Sequence, residues 1–191
     1  NDLLGFLATT DLYEGLAREA YSKSNSKAKG GSLRGASTYN MNPDYRRAAS
    51  IIRQVESSNN YSLVGDIAVG AYQVVPSQHS STIKSLYNMN MEQFRKSPEA
   101  QDKYFEYMVN ETNKALNGSD RVKLLNIIRT ANPKATYDDA IAAVHFWGIN
   151  NIRKLIKGEK GIEDKIPYKK NGVTKYNPSL GYHLRKIRKA Y

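Results

Sequence analysis

The chain has 191 residues, about one domain's worth, with 40% hydrophobic and 25% charged residues, which excludes a disordered chain on composition. It has no cysteine, which excludes a disulfide scaffold, a Cys-ligated zinc site and a cysteine nucleophile. The formal net charge of +11 points to an anionic partner, and no run of 18 apolar residues exists, so no transmembrane segment is expected.

The charge is unevenly placed. Residues 1–40 carry 5 basic and 4 acidic groups, residues 41–150 carry 12 and 11, and residues 151–191 carry 12 and 3. The body is nearly neutral, and the C-terminal segment holds +9 of the excess. Because the first residue is Asn1, the chain reads as a processed product or a piece of a longer protein.

In chain order, Leu3, Leu4, Leu7, Leu12, Leu16 and Ala20 fall at helical spacing, although Gly5 and Gly15 weaken that helix. Residues 22–40 are rich in Ser and Gly without an apolar period and read as a flexible linker. A compact unit begins at Asn42, which can cap a helix whose first position is Pro43. Ala48, Ile51, Ile52 and Val55 continue it, and it stops near Ser57–Asn60. Residues 61–75, with Gly65-Asp66 and Gly70 among β-branched neighbours, read as a short hairpin or small irregular sheet. Helices follow after Pro76, from Ser97-Pro98-Glu99 towards Gly118, over 119–131, and from the capping box Thr136-x-x-Asp139 through Trp147. Beyond Gly158 the chain is basic and contains Gly and Tyr, with a last helix near Leu180–Ala190. The expected fold class is α+β, mostly α. The expected division is an N-terminal helix and flexible linker at 1–40, a compact unit at 41–157 and a basic extension at 158–191.

Glu56 is the candidate acid. It borders the apolar stripe of its helix and sits at the helix C-terminus, where the macrodipole disfavours negative charge. Both effects favour the protonated form, which a general acid needs; the alternative is a solvated helix-end glutamate. Asp66 is the only other acid before Gln73. It is a candidate second carboxylate, or part of an ordinary Gly-Asp turn. His79, His145 and His183 lack metal-ligand spacing, and no phosphate-cradling glycine loop occurs. No metal or cofactor is expected.

Val55-Glu56-Ser57-Ser58 followed by Gly70-Ala71-Tyr72-Gln73-Val74 resembles the lysozyme-like superfamily, in its lytic transglycosylase and goose-type lysozyme branch. Ser97-Pro98-Glu99-Ala100-Gln101-Asp102 resembles a segment that follows the Gln motif in phage and bacterial members. Ala142-Ala143-Val144-His145-Phe146-Trp147-Gly148 stands where the family has an Ala-Tyr-Asn-Ala-Gly helix. The likeness covers 45–157. It implies a lysozyme-like fold with a small β-hairpin element after the Glu helix. It also implies cleavage of the β-1,4 bond between N-acetylmuramic acid and N-acetylglucosamine in peptidoglycan, with Glu56 as the catalytic acid. Gln73 would then meet N-acetyl groups. Ser57 would contact sugar, orient Glu56 or satisfy a helix-end carbonyl. Tyr72 would line the cleft or pack beneath it. His145 replaces the family's Tyr and Phe146 its Asn, so His145 is a substrate contact or a packing histidine. Gln101 and Asp102 read as structural.

The resemblance leaves transglycosylase and hydrolase both open, the former favoured by the single well-supported acid. It suggests a domain of a phage virion protein, located in the virion or cell envelope, with other virion proteins as partners. The competing readings are a non-enzymatic glycan-binding module and a nucleic-acid binder acting through the tail. On the enzyme reading, the tail charge would tether the chain to an anionic cell-wall polymer.

Overall fold

A computed structural model describes residues 37–190. The expected N-terminal helix and residues 22–36 of the expected linker lie outside that range. Within it the fold is mostly helical α+β: eight helices and one two-stranded antiparallel sheet. By internal contacts the described residues form two units, 37–109 and 110–190.

The 37–109 unit opens on a strap, not on the end of a linker. Thr38 donates to Glu99 Oε1 through its backbone N–H (3.1 Å) and its hydroxyl (3.2 Å). The Tyr39 hydroxyl and the Asn42 N–H each donate to Glu106 at 2.8 Å. Helix α1 (Pro43–Ser57) begins as the sequence dictates: Asn42 caps it by accepting from the Asp44 N–H at 3.0 Å, with Pro43 in the first turn. Ala48, Ala49, Ile51 and Ile52 bury its inner face. It ends where Ser58 and Asn59 take left-handed backbone conformations, φ 53° and 63°. Helices α2 (Pro76–Tyr87), α3 (Met91–Arg95) and α4 (Pro98–Ala115) follow. Tyr104 on α4 is buried against Phe94, Tyr87 and Tyr107.

Between α1 and α2 the expected hairpin is reduced to isolated bridges. Val69 pairs with Val64 on one side and Val74 on the other. The rest of 58–75 is turns, because Gly65, Gly70 and the left-handed Gln73 (φ 50°) interrupt any ladder.

In the 110–190 unit, α5 (Gly118–Ile128), α6 (Tyr137–Trp147) and α7 (Ile149–Ile156) surround one apolar cluster. Helix α6 is central, with Ala140–Val144 all buried. Its capping box forms as the sequence indicates: the Asp139 carboxylate accepts from the Thr136 N–H at 2.7 Å. The sheet found among the described residues lies here, β1 (Ile166–Lys170) paired with β2 (Val173–Asn177).

Helix α8 (Leu180–Ala190) completes this unit. Leu180 and Leu184 belong to the apolar cluster, and Ile187 is buried as well. Arg185 grips Glu163 in a two-pronged pair at 2.6 and 3.0 Å. The sequence suggested a boundary at 157/158, but residues 158–190 group with 110–157, because the basic helix carries apolar residues every three or four positions that enter the same cluster.

Candidate active site

The candidate site is built at the C-terminal end of α1. At i, i+3, i+4, i+7 and i+8 stand Ala49, Ile52, Arg53, Glu56 and Ser57, so a basic and an acidic residue share the stripe that faces the core. Glu56 is half-buried in the last turn, as its border position requires. Ser57 follows it and is buried. Its hydroxyl is directed at Arg53 O (3.0 Å) and Ala71 O (2.8 Å) and accepts from the Asn60 N–H (3.1 Å). Of its three sequence readings, the structure shows the helix-end bond, extended into a clamp on the 70–74 turn.

A second clamp lies one turn earlier. Arg53 is 7% exposed. Its Nη1 donates to the Tyr72 hydroxyl at 2.7 Å and its Nε to Asn59 Oδ1 at 2.8 Å. The Tyr72 hydroxyl donates onward to Asp102 Oδ1 at 2.6 Å, and the Tyr61 hydroxyl donates to the same oxygen at 2.9 Å. Arg53 Nη1 and Asp102 Oδ1 are 3.6 Å apart. Burial alone would lower the Arg53 pKa, but Tyr72, Tyr61 and Asp102 outweigh it and raise it above the usual value. Burial drives the Tyr72 phenol well above its ordinary pKa despite the nearby guanidinium. The network therefore holds a fixed cation beneath the turn.

Tyr72 is 1% exposed and stacks on Phe105 with ring centroids 4.7 Å apart. It packs beneath the turn. Gln73 is half-buried; its Nε2 donates to Gly70 O at 2.9 Å, which folds its amide back over the turn. Gln101 supports the turn from α4. Its Oε1 accepts from the Ala71 N–H at 2.8 Å, and its Nε2 donates to the carbonyls of Tyr61 (3.0 Å), Phe94 (3.3 Å) and Arg95 (3.0 Å). Gln101 and Asp102 are thus structural, as read from their position. Gly70 (φ 84°) is required twice over: its backbone is left-handed, and a Cβ there would collide with the Gln101 amide.

Asp66 is exposed in the bend between Val64 and Val69, inside the tight turn closed by Gly65 N–H to Ala68 O at 2.8 Å. Its setting matches the turn reading. Asp102 offers no alternative second carboxylate, being 5% exposed and engaged by two hydroxyls. His145 lies in the 110–190 unit, on α6, half-buried. Its ring meets Phe146 edge-on (centroids 6.1 Å), and Phe146 stacks on His183 at 4.4 Å; this is the packing reading. The structure therefore ties Ser57 to Ala71 and Arg53 to Tyr72, and Glu56 and Gln73 are each the chain neighbour of a clamped residue.

Sequence reasoning overlooked Arg53, Asn59 and Tyr61. The available signal was an arginine at a core-facing helical position four residues before Ser57. Among the described residues, no group of three or more His, Asp or Glu could hold a metal, and no helix is long and apolar enough to cross a membrane. When the chain was compared with family models, with curated proteins and with solved structures, nothing matched.

Proposed function

We propose that this chain is a peptidoglycan-cleaving glycosidase of lysozyme-like fold, acting as a lytic transglycosylase with Glu56 as its acid. The observation that carries the reading is the double clamp. Ser57 to Ala71 and Arg53 to Tyr72 tie the helix end bearing Glu56 to the turn bearing Gln73. Two motifs 17 positions apart are thereby tied together, which supports reading Glu56 and Gln73 as parts of one site.

On this reading Glu56 protonates the glycosidic oxygen between N-acetylmuramic acid and N-acetylglucosamine as an oxocarbenium-like centre develops at C1. The C6 hydroxyl of the muramoyl residue then bonds to C1 and returns its proton to the Glu56 carboxylate. The product is a 1,6-anhydro sugar, the acid is regenerated, and no water is consumed. Gln73, whose Nε2 is held on Gly70 O, would turn its amide to meet N-acetyl groups. The single acid favours this route over hydrolysis, for which exposed Asp66 would have to position the water. Action at the cell envelope follows from the substrate, and a place in a virion from the likeness of residues 97–102 and 145–148 to phage members.

Purified peptidoglycan treated with the protein should yield anhydro-muropeptides by mass spectrometry, and Glu56→Gln should yield none while far-UV circular dichroism shows it folded. Reducing ends in place of anhydro ends would shift the assignment to a muramidase. Undiminished release by Glu56→Gln would remove Glu56 from the chemistry.

A further inference from the structure

The basic excess of the C-terminal segment has a definite place in the fold. From residue 165 to the end of the chain there is no acidic residue, and four lysines of this stretch, Lys165, Lys169, Lys170 and Lys175, lie in or beside the β1–β2 hairpin. The register pairs Pro167 with Tyr176, Tyr168 with Lys175 and Lys169 with Thr174. Paired residues share a face. Ile166, Tyr168 and Lys170 form the half-buried side of β1, with Ile166 packed against the apolar cluster. Pro167, Lys169, Thr174 and Tyr176 form the opposite side, and all four are exposed; Tyr176 is 61% exposed. Strand β2 is exposed along its whole length. The turn is Asn171-Gly172, both left-handed (φ 52° and 76°), which suits a tight two-residue hairpin. A two-stranded ribbon is marginal in water, yet this one presents a bare aromatic ring and lysines to solvent.

We propose that this outer face of the hairpin binds single-stranded nucleic acid, with bases stacking on Tyr176 beside Pro167 and phosphates meeting Lys169 on that face and the exposed Lys165 just ahead of β1. Charge and ring together select the partner. A polyol-phosphate wall polymer supplies regular charge but no flat face for Tyr176. A glycan supplies sugar faces but sparse charge. A single strand supplies a phosphate and a π-face at every repeat, the combination that sequence-tolerant binders use. The proposal is independent of the peptidoglycan reading and adds a second activity in a different unit of the chain.

The test uses the full chain and a fluorescein-labelled oligothymidylate of about 12 nucleotides, within the usual site size for such binding, read by fluorescence anisotropy over a salt series. Binding should weaken as salt rises. Tyr176→Ala should weaken it about tenfold, and Tyr176→Phe should restore it. Tyr176→Leu, which keeps apolar area without a π-face, should bind like Tyr176→Ala, and far-UV circular dichroism checks that each variant is folded. Lys169→Gln should make the slope of log K against log salt shallower by about 0.7. Glu56→Gln should bind as the wild type does. The proposal is overturned by absence of binding at low salt, by wild-type affinity in folded Tyr176→Ala, by a duplex of equal length binding as tightly, or by polyphosphate competing as well as the oligonucleotide.

Discussion

Arg53 shows how one residue can hold a site it does not belong to. Its guanidinium is buried, donates to Tyr72 and Asn59, and lies over the rings of Tyr61 and Tyr72. Removing one partner of a buried charge pair leaves the other uncompensated, which costs about 3–5 kcal/mol. Arg53→Met should therefore lower the urea midpoint strongly and reduce peptidoglycan cleavage in the fraction that remains folded. Gly70→Ala tests the same turn from its backbone. It combines a left-handed φ with a collision against Gln101, and a loss of about 1–3 kcal/mol is expected, measured by urea unfolding. Gln101→Leu should be costly too, since four backbone groups lose their partner in one change. These residues were partly legible in advance. The Gly70-to-Gln73 segment and the Gln101-Asp102 pair stand out in sequence, but only the packing reveals that Gln101 fills the space beside Gly70. Tyr72 and Arg53 look like an ordinary aromatic and an ordinary helix cation until the fold removes both from water.

Helix ends carry local chemistry, and that is why they could be read. Asn42-Pro43, Ser97-Pro98 and Thr136-x-x-Asp139 each open a helix at the residue that the capping groups dictate. The β1–β2 hairpin was not foreseen, although Lys170-Asn171-Gly172-Val173 carries the strongest short hairpin signal. Its lysines mask the apolar alternation on which strands are usually recognised. The basic end was likewise read by charge, whereas α8 is held by Leu180, Leu184 and Ile187. Burying each such side chain contributes about 1.5–3 kcal/mol, so three of them rival the whole stability of a small domain. A chain ending at Ser179 should lose the folded 110–190 unit, detected as collapse of amide dispersion for those residues in a heteronuclear NMR spectrum. Charge-neutralising substitutions on the exposed face of α8, such as Lys186→Gln with Arg188→Gln, should leave it folded. The electrostatic role of this segment is therefore to be tested by substitution, since truncation would remove core.

At the scale of the whole molecule, acid should act on both units in the same direction. His79 in the 37–109 unit and His183 in the 110–190 unit both have lowered pKa values. For His79 the cause is burial; its Nδ1 lies 2.5 Å from the Tyr104 hydroxyl. For His183 burial comes first, then the charges of Lys186 on its own helix and His145 on α6, and together they push it down to about 4 from 6.5. An imidazole that is harder to protonate when folded makes the unfolded chain bind more protons between those values. Stability is then full above about pH 6.5 and is lost as pH falls towards about 4. At 1.36 kcal/mol per pKa unit, His183 alone sets a ceiling of about 3 kcal/mol on that loss. The chain has one tryptophan, Trp147, buried in the cluster of the 110–190 unit, so its fluorescence reports this unit selectively. Urea midpoints followed at Trp147 should fall steadily between pH 6.5 and 4. His183→Gln removes the titrating ring while keeping a polar side chain, and it should flatten that slope whatever it does to the midpoint at neutral pH. An unchanged slope in His183→Gln would place the acid sensitivity elsewhere in the unit, with His145 as the next group to replace.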